Sequence, residues 1–294
     1  FDRSFLTLQP TMGLITNLDL EHLDCYNNMK DLQDAFIQFA NAVPFYGKVG
    51  ICIDHTNAAA IIPNIKRPLV TFGLHENAEV RGSNLRYNQN HTVYDIIVGN
   101  ENLGEFCIHV PGEHNVNNAL GAVTLALQLD IPVEKIHTGL DQYNGVRRRF
   151  DIKYTMENGI IIVDDYAHHP SEVYSTIQAA KLGWGRRLIS VFQPHLFTRT
   201  RDFYKAFAKV FQKSDILIVT DIYQAREMPI PGITAEMISD TARKMGHKNV
   251  EYISDQTQIA KRISEIAKSN DIIITMGAGN IWRQCERIHE ALSN

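Results

Sequence analysis

The stretch VDDYAHHPSEV, residues 163–173, sets Asp164, Asp165, Tyr166, His168 and His169 where the apolar run GIIIV gives way to the start of a helix. Carboxylates accept hydrogen bonds from hydroxyls, and an imidazole, whose reference pKa lies near neutrality, can hold or accept a proton. Ligands of an open parallel sheet bind at the carboxyl ends of its strands, so this mixture at a strand end predicts a site. Capping is the competing explanation. Either acid could close the strand, while Pro170, Ser171 and Glu172 open the helix. That needs one or two polar residues, and the two acids followed by Tyr166, His168 and His169 exceed it.

Four further clusters carry chemistry. TNLDLEHLD, residues 16–24, packs Asn17, Asp19, Glu21, His22 and Asp24 after a strand. His22 could sit on a divalent ion, but Mg2+ prefers oxygen, and taken alone a loop-and-cap role is favoured. GEHNVNN, residues 112–118, puts Asn115 and Asn118 three apart at a helix start, hence on one face. An asparagine amide offers an acceptor and a donor pair that match the N6 and N7 edge of adenine; an N-cap would use only one of the two. NGVRRRF, residues 144–150, sets Arg147, Arg148 and Arg149 behind Gly145. Such runs are usually solvated, although an arginine at a domain junction can follow phosphate charge. FQPHLFTRTRD, residues 192–202, brings His195, Arg199 and Arg201 to a strand end before a helix, which suits an anionic ligand.

The elements that must position these residues are legible from periodicity. In MKDLQDAFIQFANAV, residues 29–43, Leu32, Phe36, Phe39 and Val43 recur at offsets of four, three and four, predicting an amphipathic helix. KVGICID and LVTFG read as strands. Residues 79–110 show short alternating runs that predict a small antiparallel region. A helix follows Pro111 and Gly112, and VEKIHTGLDQY predicts a shorter one. From Asp151 apolar strands alternate with amphipathic helices: GIIIVDD with PSEVYSTIQAAKL, RLISVFQ with RDFYKAFAKVFQK, DILIVT with TAEMISDTARKM, DIIITM with NIWRQCERIHEAL. Repetition of this kind predicts a doubly wound, mostly parallel α/β sheet, with a boundary near Val146 to Arg149.

The 294 residues suffice for two domains, and 44% hydrophobic with 21% charged content suits a globular protein. A net charge of -4 argues against a general nucleic-acid binder while allowing a local phosphate pocket. No apolar run approaches membrane-spanning length, so no membrane insertion is expected. Cys25, Cys52, Cys107 and Cys285 show no C-x-x-C pair, which indicates neither a disulfide framework nor a zinc site, and a cytoplasmic location is the default. The chain opens FDRSFLTLQP without an initiator methionine and reads as the middle of a protein. Neither G-x-x-x-x-G-K-[ST] nor a G-x-G-x-x-G following a strand occurs in it.

TNLDLEHLD, GEHNVNNA, GVRRRF, VDDYAHHP and FQPHLFTRTRDF, in this order and with these separations, resemble the Mur ligases over essentially the whole chain. The resemblance implies the remainder of a central ATP-binding α/β domain, residues 1–148, followed by a C-terminal Rossmann-like amino-acid-binding domain, residues 149–294. It implies ATP-driven amide synthesis in peptidoglycan assembly, joining L-alanine to the lactyl carboxylate of UDP-N-acetylmuramate through an acyl phosphate. Phosphoryl transfer of this kind needs Mg2+ and cations around moving charge. By the same resemblance His22 helps to hold Mg2+, which reverses the loop-and-cap preference; His114, Asn115 and Asn118 lie on the adenine side; Arg149 reaches the nucleotide phosphates and Asp165 the ribose. Tyr166, His168, His195 and Arg199 face the amino acid and the muramoyl substrate, with Arg149, His168, His195 and Arg199 taking part in catalysis.

Three departures accompany this. The uridine-nucleotide domain and the G-K-T loop of such ligases would lie upstream of Phe1, with the metal-ligating acid expected just before FDRSF. Leu196 stands where some members carry an arginine. The helix DLQDAFIQFA offers no lysine to carbamylate, as in the alanine-adding branch. The chain by itself is therefore expected to be inactive. The rival readings are a ligase attaching a recycled tripeptide to the same sugar nucleotide, and an inactive nucleotide-binding fragment; homodimer formation is left open.

Overall fold

The computed structural model describes residues 3–19 and 26–293. The chain divides into two compact units, Phe1–His109 with Glu113–Asn144, and Val110–Gly112 with Gly145–Asn294.

The first unit runs β1 (Met12–Ile15), α1 (Met29–Ala42), β2 (Lys48–Cys52), α2 (Thr56–Ala59), β3 (Leu69–Gly73), β4 (Val80–Asn88), β5 (His91–Val98), β6 (Glu101–Ile108), α3 (Glu113–Gln128) and α4 (Val133–Asp141). Asn28 caps α1, its side chain accepting from Asp31 N at 3.0 Å. Pro44 ends that helix by forcing Val43 into an extended conformation. Leu32, Ala35 and Ala40 are buried beneath α1, and Phe36 and Phe39 join the same core beside Phe5. The strands form one six-stranded sheet in the order β1-β2-β3-β4-β5-β6. The first four are parallel, and β4, β5 and β6 pair antiparallel. The antiparallel region is thus continuous with the parallel sheet through β3 and β4, rather than a separate piece. Burial explains the two strand patterns: β2 is buried over Val49–Cys52, whereas β5 alternates because one face meets solvent.

The second unit runs β7 (Asp151–Thr155), β8 (Ile161–Asp165), α5 (Pro170–Trp184), β9 (Leu188–Phe192), α6 (Phe197–Phe211), β10 (Ile216–Val219), α7 (Glu236–Lys244), β11 (Val250–Tyr252), α8 (Ile259–Ile266), β12 (Ile272–Met276) and α9 (Gln284–Ser293). Its sheet order is β11-β10-β9-β12-β8-β7, parallel except for the edge strand β7. Val173, Ile177, Phe207, Phe211 and Ile238 of α5, α6 and α7 pack with Val163, Leu217 and Ile274 on one face. Ile259, Ile263, Cys285 and Ile288 of α8 and α9 pack with Ile162, Ile189 and Ile273 on the other. β12 lies between β9 and β8, and its following helix goes to the opposite face from theirs. Such diverging connections leave a crevice at the carboxyl ends of the three strands, the usual ligand position in open α/β sheets. Three elements of this unit were not expected: β7, β11 and α8. In addition, α6 begins at Phe197 rather than near Arg201, which puts Arg199 on its first turn. Among the described residues no helix is long and apolar enough to cross a membrane.

Candidate active site

In the second unit, both acids of VDDYAHHP belong to β8 and face the interior. Asp164, fully buried, accepts from Arg148 Nε and from Thr275 Oγ1, each at 3.0 Å. Arg148 also donates from Nη2 to the Gly277 carbonyl at 2.8 Å, tying the arginine turn to the loop after β12. Asp165 accepts from Phe150 N at 2.9 Å, Thr176 Oγ1 at 3.0 Å and Ala167 N at 2.8 Å. Burial pushes its carboxyl up to about 6 against the pull of those donors. Both oxygens accept from donors of the fold, so the side chain pins the turn that follows β8.

Glu172 organises the turn between β8 and α5. Its Oε2 accepts from His168 N at 3.0 Å and His169 N at 3.1 Å, and its Oε1 accepts from Arg149 Nη1 at 3.0 Å. Burial would raise its carboxyl, but the nearby His168, that backbone donor and Arg149 outweigh it and hold the group below the usual carboxylate range. His169 is the N-cap of α5, and with Glu172 it closes a reciprocal capping box. The other histidine has different neighbours. His168 Nδ1 lies 2.8 Å from the Tyr166 carbonyl and 3.2 Å from Glu172 Oε2, and its ring meets those of Tyr166 and His195 edge-on at 5.2 and 5.7 Å. Arg148 and Arg149 lie 4.7 and 5.7 Å from the Tyr166 ring centre.

The ends of β9 and β12 close on one another through glycines. A Cβ on Gly279 would stand 2.4 Å from Gln193 Oε1 and 2.6 Å from the Tyr223 ring, so only glycine permits this approach. Gln193, buried, is held by Ile281 N at 3.2 Å and by Asn280 Oδ1 at 2.9 Å. His195 stacks on Tyr223 at 5.9 Å. Burial, reinforced by His168 and Arg199, lowers its pKa to about 4, so its imidazole is neutral at physiological pH. Leu196 has φ of 70°, a strained value for a non-glycine residue, immediately before α6. Arg199 Nη1 is buried with no hydrogen-bond partner among the described residues. A buried cationic donor left open in this way is the feature an anionic ligand would satisfy. Arg201, grouped with it in the sequence, instead pairs with Asp202 at 2.7 Å on the surface.

In the first unit, the loop after β1 is held by the segment after β2. Leu18 N donates to His55 Nδ1 at 3.3 Å, which places the ring proton on Nε2, 3.1 Å from Asp19 Oδ1. Asn57 donates to Leu18 O at 3.0 Å, and Asp54 accepts from Leu74 N and His75 N at 2.7 and 2.9 Å. The carboxyl ends of β1, β2 and β3 are therefore joined by Asp54, His55 and Asn57. Sequence reading passed over these, although the polar IDHTN directly after the apolar KVGIC was a usable signal. The glycines of TMGAGN, after β12, were passed over likewise. His22 lies outside the described residues. On α3, His114 is exposed, Asn115 is half-buried and Asn118 is exposed one turn on. Asn115 is the third residue of the helix, so it is not an N-cap.

Two α/β units with polar residues gathered at strand ends define a ligand-binding enzyme architecture of a recognisable kind. Residues 2–126 match the Mur ligase middle domain and residues 148–279 the Mur ligase glutamate ligase domain, and the chain belongs to the Mur ligase family. It is 42% identical over 295 residues to the UDP-N-acetylmuramate–L-alanine ligase of Salinibacter ruber, covering 100% of this chain and 62% of that protein. It is 44% identical to the ligase of the same name from Geotalea uraniireducens, covering 99% of this chain and 63% of that protein. The structure of the UDP-N-acetylmuramate-alanine ligase of Thermotoga maritima matches with a TM-score of 0.80 at 25% identity, over 99% of this chain and 62% of that one. A murein peptide ligase from Psychrobacter arcticus, at 20% identity and a TM-score of 0.65 over 99% of this chain and 59% of that one, shares the fold. The chain thus spans somewhat less than two thirds of the length of these relatives.

Proposed function

We propose that the protein acts as a cytoplasmic UDP-N-acetylmuramate–L-alanine ligase in peptidoglycan assembly. ATP would phosphorylate the lactyl carboxylate of UDP-N-acetylmuramate, and the amine of L-alanine would displace phosphate to form the amide. The observation that carries this reading is Arg199 Nη1, buried without a hydrogen-bond partner among the described residues, beside the neutral His195 imidazole in the crevice of the second unit. A free amino acid presents a carboxylate, which suits the arginine, and an amine, which suits an imidazole acceptor.

The two histidines then divide the work. A group with a pKa of about 4 is too weak a base to take a proton from an ammonium, so His195 orients the amine. His168 fits the proton-accepting role, because Glu172 stands 3.2 Å from its Nδ1 and can stabilise an imidazolium formed there. Arg149 is assigned to the nucleotide phosphates, and Tyr166, with His168, to the amino acid and the muramoyl substrate. Asn115, with His114 and Asn118, is assigned to adenine, and Mg2+, which offsets phosphate charge during transfer, is assigned to His22. Asp19 and His55, the described neighbours of that loop, hold one another and keep its base in place.

The test is ADP formation by the product of the whole gene, supplied with ATP and UDP-N-acetylmuramate. L-Alanine should be required and preferred over the tripeptide of recycled wall material. Turnover with the tripeptide but not with L-alanine would overturn the reading. The 294 residues alone, which contain no G-x-x-x-x-G-K-[ST] loop, should release no substrate-dependent phosphate above a no-protein control.

A further inference from the structure

Strand alternation turns Glu105, Cys107 and His109 to one face at the end of β6, while the buried Phe106 and Ile108 turn to the other. On β5, Val93 pairs with Cys107 and Thr92 with Ile108, which brings His91 opposite His109. The two imidazoles meet edge-on with centres 4.6 Å apart. Asp141, the last residue of α4, reaches the same point and sets Oδ1 3.0 Å from His109 Nε2. One donor atom each from Cys107, His109 and Asp141 lies within 4.8 Å of the others.

A half-exposed histidine–aspartate pair would by itself be an ordinary surface contact of small energetic weight. It does not call for a thiol and a second imidazole at the same point. Thiol, imidazole and carboxylate together are the ligand set of zinc-class dications, whereas Mg2+ and Ca2+ avoid sulfur. Zinc holds its ligands at roughly 2.0 to 2.3 Å, so the three donors need to draw in by about 1 Å around one ion. The exposed Asp141 side chain at a helix end can make most of that movement.

We propose that Cys107, His109 and Asp141 form a binding site for a zinc-class dication that clamps the end of β6 to the end of α4, with solvent as the remaining ligand and His91 packed edge-on against His109 beside it. The thiol proton leaves to solvent as the metal binds. None of these four residues is used in the proposed ligase chemistry. The sequence gives no C-x-x-C pair to announce such a site, because its ligands come from the end of one strand and from a helix end more than thirty residues further on.

Cobalt(II) is the probe. The purified chain, stripped with a chelator and titrated with Co2+, should develop the intense visible bands of a tetrahedral site and a thiolate-to-cobalt charge-transfer band, both removed by added Zn2+. Cys107→Ser should abolish the charge-transfer band, and Asp141→Asn, a surface change that leaves folding intact, should weaken Co2+ binding by about tenfold or more. The idea is overturned if no Co2+ is retained, if the charge-transfer band survives in Cys107→Ser with native circular dichroism, or if Asp141→Asn binds as well as the parent.

Discussion

Arg148 and Asp164 form an ion pair at 3.0 Å in which the carboxylate is fully buried and the guanidinium, 26% exposed, also holds the Gly277 carbonyl. This one arginine joins the domain-boundary turn, β8 and the loop after β12, and so fixes the floor on which Tyr166 and Arg149 sit. The residue singled out from the sequence for phosphate contact is its neighbour, Arg149; Arg148 holds that neighbour's backbone in place.

Breaking a buried pair from one side leaves an uncompensated charge, a loss of about 3 to 5 kcal/mol when both partners are dry. Because Arg148 keeps some solvent contact, Arg148→Met is expected to destabilise the second unit by about 2 kcal/mol in urea unfolding. A loss below about 0.5 kcal/mol, the range of ordinary surface changes, would show that water replaces the guanidinium without penalty.

Arg199 makes the opposite prediction. Its Nη1 has no hydrogen-bond partner among the described residues to lose, so Arg199→Met should leave stability within about 0.5 kcal/mol while lowering kcat/KM for the amino acid by about a hundredfold in the whole-gene product. Equal damage to folding and to turnover would mark it as a structural residue.

His195 sets a pH dependence whose sign comes from burial. The unfolded chain takes up this proton near 6.5 and the folded chain near 4, so between those values the unfolded state binds more protons. The contribution is fully present above pH 6.5 and is lost as pH falls toward 4. Nitrogen-15 spectra should show the His195 ring unchanged from pH 8 to 5, and a midpoint near 6.5 would contradict the burial argument. Against the parent, His195→Gln should flatten the stability profile across that window.

His168 and His169 should separate cleanly. His169→Ala removes the cap of α5 and should cost about 0.5 to 2 kcal/mol of stability, with a smaller effect on kcat. His168→Ala should lower kcat/KM for L-alanine by at least about tenfold and change the KM for ATP much less. If steady-state kinetics rank the two the other way round, the division of roles is wrong.

Gly279→Ala would drive a Cβ against Gln193 and the Tyr223 ring, both held by the β9 and β12 ends. Overpacking of this kind should destabilise by about 1 to 3 kcal/mol and loosen the stacking of Tyr223 on His195. Unchanged thermal melting would show that the loop gives way at no expense.

The sequence by itself determined the features that local signals can carry. The apolar runs of β8, β9, β10 and β12, the amphipathic periods of α1, α5 and α6, and the order of the polar motifs were readable, because side-chain period and capping chemistry act over a few residues. Pro170, Ser171 and Glu172 could be read as a helix start for the same reason. β7 and β11 escaped because they are short and half-exposed at the sheet edges, where tertiary pairing decides what propensity leaves open. Only the tertiary structure could decide which polar residue of a motif faces the protein and which faces a ligand. Arg148 finds its acceptor at Gly277, 129 residues away. Asp165 turns inward to Phe150, Ala167 and Thr176, and Arg199 Nη1 has no partner among the described residues while Arg201, two residues on, is paired. The gathering of Cys107, His109 and Asp141 has the same origin. Hydrogen-bond and ligand geometry depends on which strands lie side by side, and strand order is set by packing of the whole unit rather than by any stretch of its sequence.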